Sequence, residues 1–146
     1  MDVLIVRPTK HVASDSMKPA AEDIRQRRIA WEALSDLYLD TDTSLSREWR
    51  VERLMETDYT TEDLETILVN EVHPVCRWNM MCVAGEWAAF DPDWLETKIL
   101  RQVASPSWFR LPFVGTLVRR HGEWRATKDA LSLRRSSLRS DRAQPA

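Results

Sequence analysis

Three carboxylates, Asp36, Asp40 and Asp42, fall within seven residues where a helical pattern runs out into Asp40-Thr41-Asp42-Thr43. Negative charge at a helix C-terminus opposes the macrodipole, by about 0.3–1 kcal/mol for each exposed group. A chain that accepts this cost three times over points to a use for the charge, either a basic partner or a metal ion. The plainer alternative is that Asp40 or Asp42 caps the following helix or closes an Asx turn. The dense calcium-loop pattern with its Gly and terminal Glu is absent, so no calcium site is expected.

Two further groups carry potential chemistry. Glu71, His73 and Cys76 surround Pro74. Glu-x-His is too short for the zinc helix His-Glu-x-x-His, and no second His follows in range, so no metal is expected. His73 is better read as a helix-junction residue that makes a hydrogen bond. Downstream, Ala84-Gly85-Glu86-Trp87 sets a carboxylate between a helix stop and an indole. A buried carboxylate must be paired or hydrogen-bonded, and Arg77, Arg28 or backbone N–H groups could serve. Glu86 either ties the loop or binds a partner, with Trp87 as an anchor. Glu71 and Glu86 could together act as general acid and base, but no motif supplies a substrate pocket. No catalytic residue and no cofactor is expected.

Charge is divided along the chain. Residues 20–104 hold 18 carboxylates against nine Lys or Arg, a net of −9, whereas 121–146 hold six basic residues against three acids. The strongly negative stretch would attract basic proteins and repel nucleic acid. In the tail, Arg119, Arg120, Arg125, Lys128, Arg134, Arg135, Arg139 and Arg142 interleave with Trp124, a pattern that could contact phosphates and stack one base. The alternative is a tail that folds back on the acidic body, whose field would oppose a polyanion within about 8–10 Å.

The elements that must position these groups are helical. Ile24, Trp31, Leu34 and Tyr38 share one face of a first helix from about Ala21 to Leu39. A second runs from about Ser46 to Thr57. Thr60 and Asp63 form a capping box for a third, with Leu64, Ile67, Leu68 and Val72 inward. Pro74 begins or kinks a fourth, apolar nearly all round, to about Ala84, and Gly85 stops it. Asp91-Pro92-Asp93 opens a fifth, to about Ala104, with Trp94, Leu95, Ile99 and Val103 inward. Phe109 to Trp124 reads as a short β-hairpin or irregular segment turning at His121-Gly122. A short helix from Thr127 leads into a polar end. Trp31, Trp49, Trp78 and Trp94 fit the core, while Trp87, Trp108 and Trp124 are candidates for exposed anchors.

The 146 residues suit one domain. Three Gly leave no phosphate-binding loop or dinucleotide fingerprint. Val3–Val6 is too short for a secretory h-region, and no stretch reaches membrane-spanning length. Cys76 and Cys82, six apart on a helix, point to different sides. Two free thiols suit a reducing cytoplasm.

The run Trp31-Glu-Ala-Leu34-Ser35-Asp-Leu37-Tyr38-Leu39-Asp40-Thr41-Asp42 resembles the opening motif of an uncharacterised family of small bacterial proteins of unknown function. So does the later order Tyr59, Leu64, Ile67-Leu68, Glu71-Val72, Pro74, Asn79, Ala84-Gly85-Glu86-Trp87, Phe90 and Trp94-Leu95. The likeness covers about residues 28–101, leaves out the N-terminal arm and everything beyond Ser105, and has Asp42 where the pattern carries Glu. It implies a bacterial, helical, cytoplasmic protein and carries no activity to transfer.

The expectation is a mainly α, compact bundle of about five to six helices. It comprises an arm over 1–19, an acidic helical core over 20–104 and a C-terminal extension over 105–146 packed on the same domain. Its expected function is protein binding without catalysis. By class analogy it is an immunity or antitoxin-like inhibitor that docks Asp36, Asp40, Asp42, Glu71, Glu86 and Trp87 onto a basic toxin or effector. Nucleic-acid binding or regulation through the basic tail is the alternative, and a carboxylate-based enzyme a third.

Overall fold

The computed structural model describes residues 17–39, 42–77, 89–105, 118 and 121–143. Five helices carry the chain among these residues, with no strand. α1 (Ile24–Ser35) follows a 3-10 turn at Ala20–Glu22 and runs into another at Asp36–Tyr38. α2 is Arg47–Met55 and α3 is Thr61–Ile67. α4 (Pro92–Ala104) and α5 (Gly122–Ala143) complete the set.

Local chemistry explains the starts. At α3, Thr60 Oγ1 accepts from the Asp63 N–H while the Asp63 carboxylate accepts from the Thr60 N–H at 2.9 Å, a closed capping box. At α4, the Asp91 carboxylate accepts from the Trp94 N–H at 2.7 Å and Pro92 takes the first turn, where its missing N–H costs nothing. Both follow the sequence reading.

Pro74 lies in the first turn of a helical stretch, His73–Cys76, as the begin-or-kink reading expected, but that stretch is continuous with α3. α3 runs on without a break through a π-helical stretch, Leu68–Val72, into His73–Cys76. An internal Pro cannot donate to the carbonyl four residues back, and its ring crowds that turn. Widening the turn, so that the His73 N–H bonds to the Leu68 carbonyl, accommodates it. The remainder of the expected fourth helix, residues 78–84, lies outside the described residues.

The C-terminal part departs furthest from the sequence reading. His121-Gly122 is no hairpin turn: α5 starts at Gly122 and continues for 22 residues. Residues 109–117 of the expected hairpin lie outside the described residues. Trp124 and Leu131, spaced seven apart on α5, are fully buried. Helix α1 packs against α2, α3 with its π stretch, and α4, while α5 lies across α2 and α3. Trp31, Leu34, Leu54, Leu64, Ile67, Leu68, Leu95 and Ile99 fill the space between them.

Candidate functional site

Two of the carboxylates expected to face a partner are turned inward. Asp36, 8% exposed, meets Arg50 of α2 at 2.7 Å and accepts from the Ser46 hydroxyl at 2.6 Å. Arg50 has no exposed surface and distributes its donors further, to the Thr43 carbonyl, Thr127 and Glu123. Glu123 in turn takes both ends of the Arg47 guanidinium at 2.7 Å. The Arg47 hydrogen bonds, followed by those of Arg50, hold its carboxyl below the usual range despite the cost of burial. A buried guanidinium needs this many acceptors, and here they come from the end of α1, the loop before α2, and α5.

Glu71 is likewise a structural acid. It is 7% exposed, accepts from the Trp31 indole N–H at 2.7 Å and lies 3.2 Å from Arg27 Nε. Arg27 itself is buried, reaches the Lys18 carbonyl and stacks its guanidinium 4.9 Å over the Tyr59 ring. The Tyr59 hydroxyl donates to Asp23. These contacts correct the reading of Asp36 and Glu71 as outward contacts. They also engage Glu71 away from the acid/base role considered with Glu86. Asp40, Glu86 and Trp87 lie outside the described residues.

Asp42 stays on the surface. One oxygen accepts from both the Ser44 hydroxyl, at 2.6 Å, and the Ser44 N–H, an Asx-type turn. Those two bonds lower its pKa, so it remains charged. The loop carrying it joins Leu39 to Ser46, and both line a cleft of about 270 Å³ together with Glu32, Ser35, Asp36, Trp49, Ala89 and Phe90. The two regions singled out in the sequence, the acidic turn and the stretch after Glu86, therefore meet in space. Trp49 and Phe90 are the aromatic residues among its described lining, and Trp49 is 40% exposed.

The tryptophans exchange the roles expected of them. Trp31 is core, but Trp49 and Trp94 are exposed and Trp124 is buried. The inner face of α2 is Arg50, Val51 and Leu54. Because Arg50 must point inward to meet its acidic and hydroxyl partners, its neighbour Trp49, about 100° round the helix, is carried outward. Trp124 follows α5, whose helical start was read as a turn. Trp78, Trp87 and Trp108 lie outside the described residues.

A second pocket was not anticipated. Leu37, Tyr38, Leu68, His73, Val118, His121 and Trp124 line a pocket of about 160 Å³. Inside it the Tyr38 hydroxyl and His73 Nδ1 are 2.8 Å apart. Burial raises the Tyr38 pKa, so the phenol keeps its proton, and burial followed by the charge of Arg77 lowers that of His73. His73 does make the expected junction hydrogen bond. The signal for the pocket was the Pro74-driven π stretch, which a reading of helical periodicity passes over.

The basic tail folds back. Lys128 pairs with Glu65 at 2.7 Å, Arg134 lies 3.6 Å from Glu48 and 3.7 Å from Glu52, and Arg135 donates to the Tyr59 carbonyl. Cys76 is buried, which pushes its thiol up to about 12. Among the described residues no cluster of three His, Cys, Asp or Glu could hold a metal, and no helix is long and apolar enough to cross a membrane.

Residues 25–135 match the model of DUF7079, a domain of unknown function, and the chain belongs to that family. The match extends the likeness expected to end near residue 101 through most of α5, including Glu123, Trp124 and Leu131. No curated protein and no solved structure matches the chain.

Proposed function

We propose that this DUF7079 chain is a non-catalytic protein-binding protein whose cleft between α1, α2 and Phe90 receives a basic, partly apolar segment of another protein. The observation that carries the reading is Trp49, 40% exposed in a cleft that Glu32 also lines, with the exposed, charged Asp42 in the loop before α2. A large indole held open to water loses the hydrophobic stabilisation that burial would give it. Tryptophans so placed beside a polar rim are frequent anchors of interfaces. Carboxylates around it favour Lys and Arg and speed their approach.

An immunity or antitoxin-like role, in which the protein covers the basic surface of a toxin or effector in a bacterial cytoplasm, is the setting we propose for this cleft. The free, buried Cys76 accords with a reducing compartment. Tail-based nucleic-acid binding has less support, since Lys128, Arg134 and Arg135 are directed at the body of the same chain.

The test is retention of the product of the adjacent gene by immobilised protein, at low and at high salt. Retention should fall as salt rises, and Trp49→Ala should reduce it by about tenfold or more while the thermal midpoint stays unchanged. Equal retention by Trp49→Ala and wild type, or none by either, would contradict the reading.

A further inference from the structure

The 3-10 turn Asp36–Tyr38 divides two spaces: Asp36 contributes to the cleft, whereas Leu37 and Tyr38 line the pocket on its other side. From that pocket we infer a second binding site, for a small monocyclic aromatic carboxylate of about benzoate size. Volume sets the ring count. The pocket's 160 Å³ is close to the cavity of about 150 Å³ that admits benzene in an engineered protein. A single six-membered ring matches that volume.

The walls set the ring's chemistry. Leu37, Leu68 and Val118 are aliphatic, and Trp124 engages its indole N–H with Glu65 at 3.3 Å, which leaves its ring as an apolar surface. The ligand's polar end follows from the remaining groups. Tyr38, His73 and His121 are the polar side chains among the described lining residues, and no carboxylate is among them. Tyr38 and His73 share one hydrogen between the phenol oxygen and Nδ1. Whichever partner donates it, the neutral pair keeps one further hydrogen, on Nε2 or on the phenol oxygen, for a ligand. The site thus offers a hydrogen-bond donor and requires an acceptor, which the carboxylate of the ligand supplies. A pocket that is mostly apolar, with a few convergent polar groups, is the usual form of a small-molecule site. The π-helical stretch makes a separate contribution: it sets Leu68 and His73 together on this wall, and such stretches recur at functional sites.

The site is independent of the partner-binding cleft and is tested on the full chain by ¹⁵N NMR, following the Trp124 indole N–H during titration. Sodium benzoate should shift it saturably, with half-saturation at about 1 mM or below, as expected for a ligand of this size. Acetate, which has the charge without the ring, should not. His73→Phe should weaken benzoate by about tenfold or more, the loss expected for a hydrogen bond to a charged group, and leave toluene binding unchanged. Leu37→Phe, which fills the space, should abolish binding of both. Absence of a saturable shift in wild type, equal shifts with acetate and benzoate, or undiminished benzoate binding by a folded His73→Phe protein would each overturn the inference.

Discussion

At the scale of single residues, Arg50 is the side chain on which most depends. It is fully buried and joins Asp36, Glu123, Thr127 and the Thr43 carbonyl, so its removal leaves the buried Asp36 without its cation. Arg50→Ala should lower the unfolding free energy by about 3–5 kcal/mol, the range for breaking a buried pair. Arg53→Ala, which removes solvent-facing pairs with Glu32 and Glu56, should cost about 0.2–1 kcal/mol. Urea unfolding of the two variants side by side measures the contrast. His73 gives a pH dependence of definite sign. Its folded pKa lies below 6.5, so the unfolded chain takes up the proton first as pH falls. Stability is whole above about pH 6.5 and declines below it toward the folded value. Glu123, also lowered, adds a second decline below its ordinary value of 4.5. Urea midpoints should drop between pH 7.5 and 5.5 in wild type, and less so in His73→Gln. An acidic residue in a sequence does not declare which way it faces. Asp36 and Glu71 looked like surface charge because their partners, Arg50 and Arg27, are 14 and 44 positions away.

At the scale of elements, α5 is part of the fold. Trp124 and Leu131 belong to its core and Glu123 to its central ion network. Trp124→Ala should cost about 3–5 kcal/mol, as for other large buried aromatics, and a chain ending at Ser105 should lose cooperative unfolding altogether. Gly122 offers the opposite effect. It is helical, and an added Cβ would meet nothing within 4 Å. Gly122→Ala should therefore stabilise by about 0.4–1 kcal/mol, mainly by restricting the unfolded chain; thermal melts test this. Helices α1 to α4 were legible because caps and apolar spacing are local signals: Thr60 with Asp63, and Asp91 with Pro92. The start of α5 was not, because His121-Gly122 is also a turn signature and only burial of Trp124 decides between them. The π stretch was hidden for a related reason. Pro74 marks a disturbance, but its sign depends on whether the packed helix widens or breaks.

For the whole molecule, the contrast between an acidic body and a basic tail becomes an internal complementarity. Lys128 and Arg134 on α5 meet Glu65, Glu48 and Glu52, and in the other direction Arg47 and Arg50 meet Glu123. Asp42 keeps its charge on the surface, in the exposed loop beside the cleft that Trp49 walls. The location of that cleft was half legible, since the acidic turn and the stretch after Glu86 both stood out. Its anchor was not, because Trp49 looked like core until Arg50 was seen to occupy the inner face. The most direct test places a photo-crosslinking amino acid at position 49 of the full chain, in its native host, with position 141 at the far end of α5 as control. The reading predicts a single, basic protein joined at position 49 and absent at 141. No protein adduct at 49, or the same adducts at both positions, would contradict it.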